Sequence, residues 1–148
     1  MVKQEEIAVI IDDAAFLPIY ATQQAAGADL RARIEADLLL EPGATAIIPT
    51  GVRLQIPAGY EVQIRPRSGL AAKHGVTVLN TPGTIDSDYR GEVCVILINH
   101  GKIPFIIEPK MRIAQMVLHE YTQAIFCTRE EIASSGRGES RFGSTGNH

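Results

Sequence analysis

The sequence predicts an all-β domain, and three observations carry that prediction. Gly/Pro turn signals recur at short intervals from residue 41 onward: "EPG", "PTG", "PAG", "RPRSG", "KHG", "TPG", "NHG" and "EPK". The runs between them are brief, and several alternate apolar with polar residues, the period-two pattern of strands. Helical patterning is confined to one short stretch. Many short strands joined by such turns make a sandwich, a jelly roll or a barrel. The chain has 148 residues, enough for one domain with a core, and lacks Trp, so branched aliphatics must fill that core.

Taken in chain order, "AGADLRA" (26–32) places the Asp29 carboxylate after a Gly turn. "TAIIPTGVRLQI" (45–56) and "YEVQIR" (60–65) alternate, with Val52, Leu54, Ile56, Val62 and Ile64 at the apolar positions. "SGLAAKHG" (68–75) predicts a short helix with Ser68 as N-cap and Gly75 just past its end. "VTVLNTPGTIDSDY" (76–89) reads as strand, "TPG" turn, strand, a hairpin with Asn80 and Asp86 on facing arms. "VCVILI" (93–98) and "RIAQMVLHEY" (112–121) are more continuously apolar and predict strands buried on both faces. Arg112 and Gln115 are the polar exceptions in the second. "TREEIA" (128–133) predicts at most a turn of helix. The last stretch, "SSGRGESRFGSTGNH", is Gly/Ser-rich and too poor in apolar residues to order itself. The expected organisation is therefore a domain over 1–133 and a mobile C-terminal tail over 134–148.

Composition excludes several functions. A net charge of −3 argues against general nucleic-acid binding, which needs a basic face. No run approaches the ~20 apolar residues of a membrane span. The N-terminus, "MVKQEEIAVI", lacks the basic-then-apolar pattern of a signal peptide, so a cytoplasmic location is expected. Cys94 and Cys127 lie in apolar runs without metal-ligand spacing and read as buried free thiols. His74, His100, His119 and His148 are scattered and read as surface or loop residues. The basic residues are ten Arg against four Lys, with Arg at 65, 67, 90, 112, 137 and 141 inside the stretches of interest. Guanidinium is the cation suited to bidentate recognition of phosphate and carboxylate.

One stretch is costly unless it serves a purpose. "GTIDSDYRGEV" (83–93) sets Asp86, Asp88, Tyr89 and Arg90 where an apolar strand begins, and buried charge is expensive unless paired. "RPRSGLA" (65–71) offers Arg67 donors, the Ser68 hydroxyl and the unpaired N–H groups of a helix start to an anion. "FGSTG" (142–146) offers closely spaced N–H groups and hydroxyls of the same kind.

The ordered set "AGADLRA", "RPRSGLA", "GTIDSDYRGEV", "RIAQM" and "RGESRFGSTG" resembles the five motifs of the trimeric dUTPase family, the deoxyuridine triphosphate nucleotidohydrolases. The resemblance runs from about residue 26 to 146. The fifth motif departs at Ser140 and Arg141, where small residues or Gly usually precede the Phe.

The resemblance implies a distorted β-jelly-roll assembling as a homotrimer with shared active sites. It implies hydrolysis of dUTP to dUMP and pyrophosphate with Mg²⁺, limiting uracil in DNA and supplying dUMP for thymidylate synthesis. Asp86 then matches the carboxylate that activates water for attack on the α-phosphorus. Tyr89 matches the aromatic against the deoxyribose, excluding a ribose. The arms carrying Asn80 and Thr84–Ile85 make the uracil slot. Arg67, Ser68 and Gly69 match the phosphate-binding second motif and Gln115 the fourth. Asp29 reaches the metal through water only, so no protein-only metal site is expected. Arg137 would meet the γ-phosphate, Phe142 would cover the base, and Gly143, Ser144 and Thr145 would add contacts. Asp88 and Arg90 read as structural, paired at a subunit interface. The partners implied are dUTP and further copies of the chain, with no nucleic acid or membrane. Two rivals stand beside this reading: a dCTP deaminase of the same fold, for which Glu92 is the nearest acid/base, and a non-catalytic nucleotide-binding trimer.

Overall fold

The computed structural model describes residues 1–146; the expectations that touch the end of the tail and His148 lie outside the described residues. Eleven strands appear in chain order. They are β1 (Ala8–Ile10), β2 (Ile19–Tyr20), β3 (Ala28–Arg31), β4 (Leu38–Leu40), β5 (Thr45–Gln55) and β6 (Tyr60–Arg65), then β7 (Val76–Val78), β8 (Gly83–Ile85), β9 (Glu92–Asn99), β10 (Phe105–Ile107) and β11 (Arg112–Glu120). One α-helix, α1 (Ser68–His74), separates β6 from β7. A 3-10 turn at Ala14–Phe16, capped by Asp13, has no counterpart in the sequence reading. No helix among the described residues is long and apolar enough to cross a membrane.

The strands form three antiparallel sheets: β1-β5-β9-β7, β2-β3-β11-β6-β8 and the pair β10-β4. The expected all-β fold with one short helix holds. The barrel alternative does not, because the sheets stay open, with β1 and β7 at the edges of one and β2 and β8 at the edges of the other. Their inner faces share one aliphatic core that includes Leu30, Ile48, Val62, Val95, Leu97 and Ile113. Each such side chain contributes about 1.5–3 kcal/mol by leaving water.

Alternation corrects two expectations. β9 buries Val93, Val95, Leu97 and Asn99, while Cys94 is exposed and Ile96 and Ile98 are half-buried on the other face. The apolar run therefore does not mean burial on both faces in a single chain. Cys94 is exposed because it occupies an outward position, and Cys127 because it follows the last strand. Partial desolvation by the surrounding strands nevertheless pushes the Cys94 thiol up, and the nearby Glu92 carboxylate adds to the rise, so Cys94 stays protonated at neutral pH. The outward face of this sheet gathers Ile47, Ile96 and Ile98, with Ile47 directly across from Ile96, while Ile10 lies across from Arg53 toward the Glu92 end. Ile10 and Ile47 are 67% and 68% exposed, an unusual use of aliphatic surface.

Asn99 is the fixed point behind α1. It is fully buried. Its Nδ2 donates to the carbonyls of Leu40 and Ile103, both at 2.9 Å, and its Oδ1 accepts from the Gly101 N–H at 2.8 Å. The adjoining His100 N–H donates to the Gly75 carbonyl at 2.8 Å. Gly75 ends α1 at φ 67°, as the sequence predicts, and backbone of Gly101 lies where a Cβ would stand. Asn99→Ala removes all three side-chain bonds and strands buried carbonyls. It should cost about 2–4 kcal/mol. Urea unfolding checks this, and an unchanged midpoint would contradict the assignment.

Candidate active site

The side chains marked by the sequence fall into two groups on the outward face of the five-stranded sheet, with the tail standing apart. β11 runs between β3 and β6, with Gln115 directly across from both Asp29 and Arg65. Neighbours in register point to the same face. Asp29, Gln115 and Arg65 therefore form one outward row, while Ala28, Leu30, Met116 and Ile64 turn into the core.

This row is the first group. Arg67 Nε lies 3.3 Å from Asp29 Oδ1, and Arg112 Nη1 lies 3.4 Å from Asp29 Oδ2. Arg67 Nη1 also donates to the Arg112 carbonyl at 3.3 Å. Two guanidinium groups on one carboxylate leave a net positive charge, suited to a polyanion. Gln115 Nε2 donates to the Pro66 carbonyl at 3.1 Å, which ties β11 to the turn before α1. Arg67, extended at φ −91° and ψ 126°, is the N-cap of α1. Ser68 is thus the first helical residue and makes no cap bond, contrary to the sequence reading, because the chain stays extended one residue past Pro66. The first helical bond runs from Ala71 N–H to Arg67 carbonyl, leaving the N–H groups of Ser68 and Gly69 free at the exposed start of the helix.

The second group follows β7. The predicted hairpin does not form: β7 pairs with β9 in one sheet and β8 pairs with β6 in the other. Residues 79–82 cross between sheets, and the Thr81 hydroxyl holds the crossing by donating to the Val78 carbonyl at 3.0 Å. Asn80 and Thr84 are exposed and Ile85 is half-buried. The Asn80 side chain packs over Gly83, where a Cβ would sit 3.2 Å from its Nδ2. Asp86 ends β8 in a turn closed by Tyr89 N–H to the Asp86 carbonyl at 3.1 Å. Tyr89 OH donates to the Glu92 carbonyl at 2.9 Å, and its ring lies over Gly91, where any Cβ would overlap it. Arg90 donates to the carbonyls of Ser87 at 2.6 Å and Tyr89 at 3.1 Å, so it braces the turn and does not pair with Asp88 within the chain. The Asp86 carboxylate is exposed and has no hydrogen bond or ion pair among the described residues.

One chain does not bring the two groups together. Ile85 lies across from Val62 on β6, which places Asp86 beside Glu61, whereas the Gln115 row passes through Arg65. Four residues of strand separate these rows, about 13 Å. A polar line on β6 spans the gap. Arg65 donates to Gln63 Oε1 at 2.8 Å, Gln63 donates to Glu61 Oε1 at 2.8 Å, and His119 Nδ1 stands 3.6 Å from Glu61. This line and the Arg112–Asp29 contact were missed in the sequence; alternation in "YEVQIR" marked those positions as polar, without a role.

The tail meets neither group. Residues 122–146 are exposed, and all their hydrogen bonds are local, such as Arg137 Nε to the Ser140 carbonyl at 3.2 Å. No helical turn forms at 128–133. Phe142 is fully exposed and Gly143 adopts φ 75°. Among the described residues no three His, Cys, Asp or Glu side chains stand together as a metal cage.

Gly27 is a sensitive position in the first group, because a Cβ there would run into the Gln115 amide and come within 3.2 Å of its Cβ. Gly27→Ala should drive Gln115 off the Pro66 carbonyl at a cost of about 1–3 kcal/mol. A crystal structure of the variant with a urea titration checks this; an unmoved Gln115 and an unchanged midpoint would contradict it.

Comparison with known proteins shows the family. The dUTPase family model matches residues 13–146. The deoxyuridine 5'-triphosphate nucleotidohydrolase of Chlamydia pneumoniae is 61% identical over 137 residues, 92% of this chain and 94% of that one. Its counterpart in Chlamydia caviae is 57% identical over 139 residues, 92% and 95% of the two chains. Among solved structures, the dUTPase of Staphylococcus bacteriophage 80alpha with dUpNHpp has a TM-score of 0.86 at 25% identity, covering 97% of this chain and 99% of that one. The family match takes in all five sequence segments, both groups on the sheet and the described tail, and on that span the chain belongs to the dUTPase family.

Proposed function

We propose that the chain hydrolyses dUTP to dUMP and pyrophosphate as a cytoplasmic homotrimer, each site drawing on three copies. Asp86 carries the reading. It is an exposed, unpaired carboxylate held on a braced turn at the exit of β8. A general base needs such freedom. Asp86 takes a proton from water as the water oxygen bonds to the α-phosphorus. The bond from that phosphorus to the bridging oxygen breaks, and pyrophosphate leaves.

The rest of the substrate follows from the surrounding groups. Tyr89 is fixed at its OH and over Gly91, so its ring is a rigid wall against the deoxyribose, with no space for a 2′-hydroxyl. Asn80 and the backbone of Thr84–Ile85 read the uracil edge. Cytosine would set donors against donors, leaving polar groups unpaired at ~1–3 kcal/mol each. Arg67, Ser68, Gly69 and Gln115 of a neighbouring copy receive the phosphates. From a third copy, the tail closes with Arg137 on the γ-phosphate, Phe142 over the base, and Gly143, Ser144 and Thr145 on phosphate oxygens. Closure excludes bulk water.

The donor set suits Mg²⁺, which keeps its waters and binds through substrate phosphates. Asp29 is a single carboxylate whose oxygens are each shared with an Arg, fit to hold a metal's water shell but not the bare ion. When bound, the metal supplies neutralisation of the triphosphate charge.

Two features support sharing between copies. The groups lie about 13 Å apart along one chain, and the apolar outer face bearing Ile47, Ile96 and Ile98 leaves Ile47 exposed. The deaminase rival loses ground because Glu92 is committed elsewhere. Its Oε1 accepts the Gly51 N–H at 2.8 Å and lies 3.9 Å from Arg33 Nη1. The physiological reading is control of uracil in DNA and supply of dUMP.

Asp86→Asn should keep assembly and nucleotide binding but slow pyrophosphate release about 10²–10⁴-fold. Steady-state assay on dUTP beside dCTP and UTP tests both chemistry and selectivity. Near-normal turnover by the variant would sink the assignment.

A further inference from the structure

We propose that Lys3 is a positioning residue for this reaction: with Tyr60 and Glu120 it clasps the root of the C-terminal arm and sets the direction in which the arm leaves the domain. The inference rests on the reading of the tail as a flap over a neighbouring copy's site.

The root of the arm is sharply defined. β11 ends at Glu120, which lies across from Tyr60, the first residue of β6. Tyr121 N–H then donates to the Gly59 carbonyl at 3.1 Å. Beyond that bond, residues 122–146 are exposed and bond only among themselves. Whatever orients the arm acts at Glu120 and Tyr121.

The chain's other end reaches this point. Residues 1–7 belong to no sheet, yet Lys3 Nζ pairs with Glu120 Oε1. The same ammonium lies 5.2 Å from the centroid of the Tyr60 ring. Tyr60 OH is within hydrogen-bond reach of Glu120 Oε1 at 3.1 Å and of Glu5 Oε2 at 3.3 Å. Lys3 and Tyr60 thus meet Glu120, the last residue of β11, with Glu5 joined through Tyr60. The contact with Lys3 holds the Glu120 carboxyl below its ordinary range, with Tyr60 and His119 acting in the same direction.

None of this serves the core. Lys3 and Glu120 side chains are 68% and 63% exposed, and the core lies inside the sheets. An exposed ion pair adds little to global stability. At the base of a tether its effect is different. Fixing the root narrows the space the arm explores and raises the effective concentration of Arg137 and Phe142 at the site they serve.

The test uses the full-length chain with Lys3→Met, Glu120→Gln and Lys3→Arg. Two quantities are read: KM and kcat for dUTP, and the rate of tryptic cleavage between Arg129 and Arg141 with and without a non-hydrolysable dUTP analogue and Mg²⁺. Lys3→Met should raise KM about two- to fivefold at little change in thermal midpoint, the scale of an exposed pair, and weaken ligand protection of the arm in proportion. Glu120→Gln should reproduce both effects, and Lys3→Arg should restore both. Wild-type KM and wild-type protection in Lys3→Met overturn the clasp while leaving the proposed hydrolysis intact. Absence of ligand protection in the unmodified protein overturns the flap itself, and the clasp with it.

Discussion

Strand β11 lies between β3 and β6, and the register along its two edges governs the molecule's chemistry. Because the side-chain period is two, that register sends Met116 and Ala114 into the core and leaves Gln115 outward, in line with Asp29 on one side and Arg65 on the other. A slip of one residue would bury the charges and expose the core, so the packing that stabilises the sheet also enforces the polar row. Arg67 and Arg112 then have one carboxylate to share, and the turn into α1 is held by the Gln115 amide. The geometry of this polar row is thus a by-product of core packing.

The same register sets a limit. β8 joins the far edge of β6, and its pairing carries Asp86 to the Glu61 end and away from Arg65. Strands are stiff over this length, and only the relay of Arg65, Gln63 and Glu61 bridges the interval. On the proposed reading, a site that uses both Asp86 and Arg67 draws them from different copies. The exposed Ile47 of the four-stranded sheet supports the proposed association of copies, since aliphatic surface of this kind seldom stays in water. The Arg65–Gln63–Glu61 line makes the intervening surface polar and ordered.

Much of this was legible in the sequence, and the gaps have physical causes. Alternation in "YEVQIR" and the Gly75 helix stop were read correctly because each is a local signal. Ser68 was misplaced by one position, since capping depends on the φ and ψ that Pro66 leaves to Arg67. The hairpin at 76–89 failed for a different reason: turn residues mark a reversal but not which strands pair across it, and here the two arms join different sheets. Cys94 and the run "VCVILI" read as fully buried because composition does not reveal which residues of an apolar strand face outward, and here Cys94, Ile96 and Ile98 do. The Lys3 contact links residues at opposite ends of the sequence, and no local pattern announces it.

Sharing of sites between copies is the centre of the account, and subunit mixing tests it most directly. Two full-length variants, Asp86→Asn and Arg67→Ala, are co-expressed with different tags, and the mixed oligomers are purified through both. Each variant alone should be nearly inactive. If Asp86 and Arg67 of one site come from different copies, the doubly purified trimers regain about a third of their sites, as expected for a closed symmetric ring. Activity that stays at the level of the single variants would mean that each site is built within one chain, and would contradict the account.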